Sequence, residues 1–330
     1  MTHKRDLVVA LSRMSFLSCG QKIVLLNNLD NLSKVALLSI EELKKLSGKN
    51  LDKTQWNPDL LLKQVEKDLS LMEQYKIDIV SVLDEDFPPL LKEIKPVPFA
   101  LYFRGNIGCL KKPCVGVVGT RHPDTEGMKA AFDFSEAVAK RGGTVVSGLA
   151  LGIDAAAHKG ALAVESEQGE IGSTVAFLGS GIDTIYPSGN KSLAGRILRS
   201  GGCVLSEYPL GTPALAYHFP ERNRLISGVS IGVMVIEALE KSGSLITVDY
   251  ALDQNRDVFF HPVSLGYAKI LSGNNHFSSV NLETQNKKKK AGSRIIRGIE
   301  EYIAEGAIVT DSADVVLESG KYIIQNEFSF

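Results

Sequence analysis

The absences in this sequence narrow it first. Its four cysteines (Cys19, Cys109, Cys114 and Cys203) form no C-x-x-C pair, and its six histidines show no H-E-x-x-H arrangement. No cysteine or histidine stands at metal-ligand spacing, so no metal site is expected. The thiols read as buried or incidental groups of a reducing, cytoplasmic protein. No apolar run reaches transmembrane length, and MTHKRDLVVALSRMSFLSC reads as the start of a helix rather than a signal peptide, so no membrane is expected as a partner. An excess of one charge is missing too: 37 Lys and Arg against 38 Asp and Glu leave a net charge of −1. A chain so balanced that binds a polyanion must gather its basic groups locally. The dinucleotide fingerprint is incomplete. GVVGTRHPDTEG lacks the third glycine at the required spacing, and Pro123 stands where the helix should begin, so no such cofactor is expected.

What is present is an ordinary globular composition, 44% hydrophobic and 23% charged over 330 residues, enough for a large domain and a small one. Residues 1–75 repeat apolar positions at helical spacing in DLVVALSRM, QKIVLLNNL, LSKVALL, IEELKKL and LLLKQVEKDLSLMEQY. Ser39 and Glu42 form a capping box ahead of IEELKKL. This predicts a small all-helical module. Over 77–104 the strand-like runs IDIVSV and FALYFRG flank a segment in which Pro88, Pro89, Pro96 and Pro98 deny a long helix. It reads as a lead-in packed on the domain C-terminal to it.

From residue 114 onward strands and helices alternate. The predicted strands are 114–119, 144–148, 174–179, 203–207, 231–237, 257–262 and 306–310. The predicted helices are 126–141, 153–165, 190–200, 221–228, 244–254, 292–304 and 311–317. The fold class is therefore α/β, a doubly wound, mostly parallel sheet. Residues 264–291 break the alternation and end in Lys287 to Lys290, which reads as an inserted surface loop within a domain of 76–318, followed by a tail at 319–330.

In such a sheet the turns at the strand ends lie on one edge, where backbone N–H groups and helix N-termini converge on anions. CVGVVGTR, TVVSGLALGID, TVAFLGSGID and VMVIEALEKSGSLIT each end in such a turn. The ligand is then a phosphate, either of a nucleotide or of a nucleic acid strand. Gly119 and Thr120 precede Arg121, whose guanidinium matches phosphate bidentately. Ser147, Gly148 and Leu149 open the second turn. Asp154 and His158 come next, one helical turn apart, either as a catalytic pair or as a helix cap and a packed histidine. Gly179 opens the third turn, with Tyr186 and Pro187 as an aromatic lip and Lys191 at a helix start. In HFPERNRLISG, Arg222 and Arg224 cannot face one way on a helix. One is expected to bind an anion while the other pairs with Glu221 or Glu237, with Asn223 between them and Phe219 as a stacking face or a core residue. Ser242, Gly243 and Ser244 make a fourth cradle at a helix N-terminus.

The order of these motifs, VGVVGTR, VVSGLALGIDAAAH, AFLGSGIDTIYPSGN, LSEYPLGTP, HFPERNRLISG, VMVIEALEKSGSLIT and GSRIIRGIEEYIAEGAIVTDSADVV, resembles the DprA/Smf family of DNA-processing proteins over most of 114–316. DEDFPPLLKEIKPVPFALYFRG looks like that family's lead-in, and the helical module is similar in kind to its sterile-alpha-motif-like module. The resemblance implies an extended Rossmann-like fold that binds single-stranded DNA, dimerises, hands the strand to RecA and protects incoming DNA in natural transformation. By position it assigns the strand-binding pocket to Gly119, Thr120 and Arg121, Ser147 to Leu149, Lys191, Arg222 to Arg224 and the Ser242 to Thr247 loop. The 264–291 stretch and IRGIEEYIAEGA are longer than the family pattern, near the face expected for dimer and RecA contacts. The chain ends soon after 317, so the winged-helix module of many members is not expected.

An enzymatic alternative has the same architecture. Phosphoribohydrolases of the LOG type carry a PGGxGTxxE loop, whereas EKSGSLIT here has neither PGG nor an acid before Asp249. Glu237 and Asp154 are the acids placed for catalysis. The expectation is a non-enzymatic single-stranded DNA binder, with a nucleotide-processing enzyme or a nucleotide sensor as alternatives.

Overall fold

The computed structural model describes residues 4–48, 56–164, 173–238, 242–266 and 298–319. The predicted loop beyond 266, its lysine run, the start of the predicted helix at 292–304 and the tail beyond 319 lie outside these residues.

Five helices come first: α1 (Arg5–Arg13), α2 (Cys19–Asn28), α3 (Leu32–Ala36), α4 (Ile40–Ser47) and α5 (Pro58–Tyr75). Their starts are written in the sequence. Ser18 with Gln21 and Ser39 with Glu42 form capping boxes at α2 and α4, and Asn57 caps α5 just ahead of Pro58.

The strands are β1 (Asp78–Ser81), β2 (Ala100–Gly105), β3 (Cys114–Val118), β4 (Thr144–Ser147), β5 (Thr174–Phe177), β6 (Cys203–Ser206), β7 (Gly232–Val235), β8 (Asp257–Phe260) and β9 (Ile308–Val309). Between and after them run α6 (Thr125–Lys140), α7 (Ile153–Ala161), α8 (Lys191–Arg199), α9 (His218–Val229), α10 (Gly243–Asp253), α11 (Ile299–Ala304) and α12 (Ala313–Ser319). They form one nine-stranded sheet in the order β1-β2-β6-β5-β4-β3-β7-β8-β9. The pairs β1–β2 and β2–β6 are antiparallel and all others parallel. This is the doubly wound, mostly parallel Rossmann-like sheet that the strand–helix alternation predicts. The predicted strand at 306–310 shrinks to two residues. The helix predicted at 221–228 begins earlier, at His218, and holds Pro220 in its first turn, where no intrahelical N–H bond is lost.

Alternation along β3 explains the layering. Val115 and Val117 join a cluster with Phe134, Val138, Ala157 and Val316 of α6, α7 and α12. Cys114 and Val118 join the larger cluster on the other face. That larger cluster is continuous from Leu7, Leu11, Val65 and Met72 of the helical segment into Leu101, Tyr102 and Leu205 of the sheet. Arg13 locks the two parts further: Nε and Nη2 each donate to Asp68 at 2.6 Å, and Nη2 also donates to the Leu210 carbonyl at 2.9 Å in the loop after β6. No helix among the described residues is long and apolar enough to cross a membrane.

Candidate functional site

Strand order reverses around β3, which has β4 on one side and β7 on the other. In a doubly wound sheet a crevice opens at that point, outside the carboxyl ends of the strands. The loops after β7, β3, β4, β5 and β6 therefore stand in a row, and each glycine turn named from the sequence lies on it.

The β3 turn is tied down from both sides. Thr120 N–H donates to the Glu237 carbonyl beyond β7 at 2.8 Å, and Ile153 N–H at the start of α7 donates to the Thr120 carbonyl at 3.2 Å. The Thr120 hydroxyl accepts from His122 N–H. Arg121 is left exposed, with its guanidinium 5.4 Å above the centre of the Phe219 ring. Phe219 in turn meets Tyr186, with ring centres 5.4 Å apart, and Tyr186 is 47% exposed. Gly179 permits this row, because a Cβ there would stand 2.9 Å from the Phe219 ring. Lys191 is exposed at the first position of α8. Arg121, Phe219, Tyr186 and Lys191 thus form the outward part of the edge: two cations and two rings, the groups that hold phosphates and unstacked bases.

The β4 turn faces inward, contrary to the expectation of a phosphate cradle there. The Ser147 hydroxyl donates to the Val117 carbonyl at 2.7 Å. Leu149 is fully buried at φ +57°, and its carbonyl accepts from Asn190 Nδ2. Gly148 and Ala150 spend their N–H groups on one oxygen of Asp154, at 3.1 and 3.3 Å. A carboxylate of the chain itself occupies this nest. Arg222 stands beside it and is turned inward as well, 4% exposed, with Nη1 donating to the Gly148 carbonyl at 2.8 Å and to the Phe177 carbonyl. A Cβ at Gly148 would collide with this guanidinium, so Arg222 would have to move to admit one. Burial pulls Arg222 down to about 10, against the opposing pull of Asp154, and burial pushes Asp154 up.

Arg224 is buried too, and its partner is neither Glu221 nor Glu237 but Glu207 at the end of β6. Glu221 instead accepts from the Tyr208 hydroxyl. Nothing in a lone acid after an apolar strand marks Glu207 as that partner. Asp154 and His158 form no catalytic pair: the fully buried His158 bonds Thr174 Oγ1 through Nδ1 at 2.7 Å, and burial lowers it to about 3, so it stays neutral. In the β7 turn the Ser242 and Ser244 hydroxyls bond each other at 2.6 Å, and no side chain caps α10. Asn223 joins that turn to α9: it accepts from Arg222 Nε and donates to the Gly243 carbonyl, both at 3.2 Å.

A model of the family described as DNA recombination-mediator protein A matches residues 78–319. The chain belongs to that family. It is 42% identical over 204 residues to the protein Smf of Escherichia coli strain K12, a match that covers 62% of this chain and about half, 53%, of that protein's length. The X-ray structure of DNA processing protein A (DprA) from Streptococcus pneumoniae superposes with a TM-score of 0.67 at 32% identity, over 96% of this chain and 98% of that one. A Helicobacter pylori DprA structure, described for that protein's single-stranded DNA binding mode, has the same fold at 23% identity, with a TM-score of 0.55 over 75% of this chain and 96% of that one.

One buried acid of this family member has a measurable signature. Glu237 is fully buried beyond β7, against the first turn of α6 and Asp124. Burial first, then the neighbouring Asp124 carboxylate, raises it from 4.5 to about 7. The folded state therefore holds this proton more tightly than the unfolded chain. The resulting stabilisation is complete below about pH 4.5 and is lost as pH rises through about 7. Glu237→Gln keeps the neutral shape, so its melting temperature should fall less than that of the unsubstituted protein between about pH 5.5 and about pH 8. Parallel melting curves for the two would refute the assignment.

Proposed function

We propose that this chain binds single-stranded DNA without chemical turnover, protects it and assists RecA loading during DNA uptake and recombination. The observation that carries the reading is the outward row of Arg121, Phe219 and Tyr186, with Lys191 beside it: a guanidinium for phosphate and rings on which bases of any sequence stack. Family membership and relatives named as DNA-processing proteins support the choice of DNA. Delivery to RecA, a homodimer and a cytoplasmic setting belong to the same proposal and rest on the family resemblance. The non-enzymatic part is supported by burial of both candidate acids: Asp154 is engaged by backbone N–H groups and Glu237 lies fully buried.

The test is a mobility shift with single- and double-stranded oligonucleotides of one sequence across a salt series, with RecA filament assembly as a second readout. Preferential, salt-sensitive retention of the single strand and faster filament assembly are expected. Equal retention of both forms, or release of free base from nucleoside monophosphates, would reject the proposal, the latter in favour of a hydrolase.

A further inference from the structure

The exposed row continues past the pocket. Tyr217, just ahead of α9, is 59% exposed, the most open aromatic ring among the described residues. A tyrosine ring offers a flat face on which any unstacked base can lie. This ring is held on one side only: it meets the His218 ring with centres 4.5 Å apart at an interplanar angle of 73°. His218 is itself immobilised. Its Nδ1 lies 3.2 Å from both the Gly179 and Pro213 carbonyls, and its ring lies on Tyr208 with centres 4.1 Å apart. The support of Tyr217 is therefore fixed, while the residue itself stays 59% exposed.

Its place in the chain sets it beside the pocket. Phe219, two residues on, is the ring on which Arg121 rests, and His218 between them meets the Gly179 carbonyl after β5. Leu151 and Leu215, 48% and 38% exposed, lie on the loops after β4 and β6.

We propose that Tyr217 is a second stacking platform, which takes an unpaired base of the strand next to the one held at the Arg121–Phe219–Tyr186 pocket. The inference rests on the single-stranded DNA reading of that pocket. Stacking on an open tyrosine is indifferent to base identity, so the platform lengthens the footprint without adding sequence preference.

The sequence supplies a spectroscopic test. Trp56 is the protein's one tryptophan and is buried, with Nε1 donating to the Leu38 carbonyl at 2.8 Å. Tyr217→Trp therefore adds a single surface fluorophore. Saturable quenching of that fluorophore by oligothymidine is expected. Tyr217→Ala should weaken binding of an oligonucleotide of about 20 residues roughly tenfold and leave binding of thymidine monophosphate nearly unaffected. Both variants should melt with the unsubstituted protein, because the ring is at the surface. If Arg121→Ala weakens binding while Tyr217→Trp shows no quenching and Tyr217→Ala binds the long strand normally, the platform is rejected and the pocket stands. If the unsubstituted protein retains no single strand at all, both readings fall together.

Discussion

Replacing Arg222 with alanine should destabilise the folded chain by about 3–5 kcal/mol, with no DNA present. Its guanidinium ties together the Gly148 carbonyl in the loop after β4, the Phe177 carbonyl at the end of β5, and Asn223 on its own helix. It is also the positive neighbour of Asp154, an acid that burial already disfavours as an anion. Truncation leaves two carbonyls and a carboxylate inside without that partner, and each unmet buried group costs about 1–3 kcal/mol. Arg222→Lys keeps a charge near Asp154 but lacks the planar fork, so it should recover only part of the loss. The check is the urea midpoint of the free protein. An unaltered midpoint combined with lost DNA binding would mean that Arg222 touches the ligand, against its inward orientation.

Arg121 should behave in the opposite way. Its side chain is exposed and rests on the Phe219 ring, so Arg121→Ala should leave the melting temperature within the range of ordinary surface changes. Single-stranded DNA affinity should fall about 10- to 100-fold, the loss of about 1.5–3 kcal/mol that accompanies removal of a charged hydrogen-bonding group. The slope of log K against log salt should become shallower by about 0.7, one phosphate contact on a single strand. Arg121→Lys should restore the slope more fully than the affinity, since the charge returns without the bidentate fork. Unchanged affinity and slope would remove Arg121 from the interface. Together the two expected outcomes would separate an arginine that builds the edge from one that meets the ligand.

Local patterns and long-range contacts divide what could be foreseen. The start of α4 was legible because capping is local: Ser39 and Glu42 act within three residues of each other, as Ser18 with Gln21 and Asn57 before Pro58 also prove to do. The parallel strands were legible because burial on both faces leaves continuous apolar runs such as CVGVV and TVAF. The direction of Arg222 was not legible. Alternation on a helix says that Arg222 and Arg224 diverge, but both directions prove to be interior, because α9 lies between the β4 and β5 loops on one side and Glu207 on the other. Tyr217 carries no sequence signal for a related reason, since a ring in a loop has no period to betray its exposure.

By itself, then, the sequence determined the class of fold, the glycine turns at the strand ends and the family, all of which rest on short-range patterns and on the order of motifs. Only the tertiary structure decided which groups on that edge look outward. Asp154 fills the β4 nest with the chain's own anion, Arg222 and Arg224 are spent on internal partners, and Arg121, Lys191, Tyr186 and Tyr217 remain open. That division depends on contacts between residues far apart in the chain, such as Gly148 with Arg222, and on whether burial has already supplied a partner to each polar group.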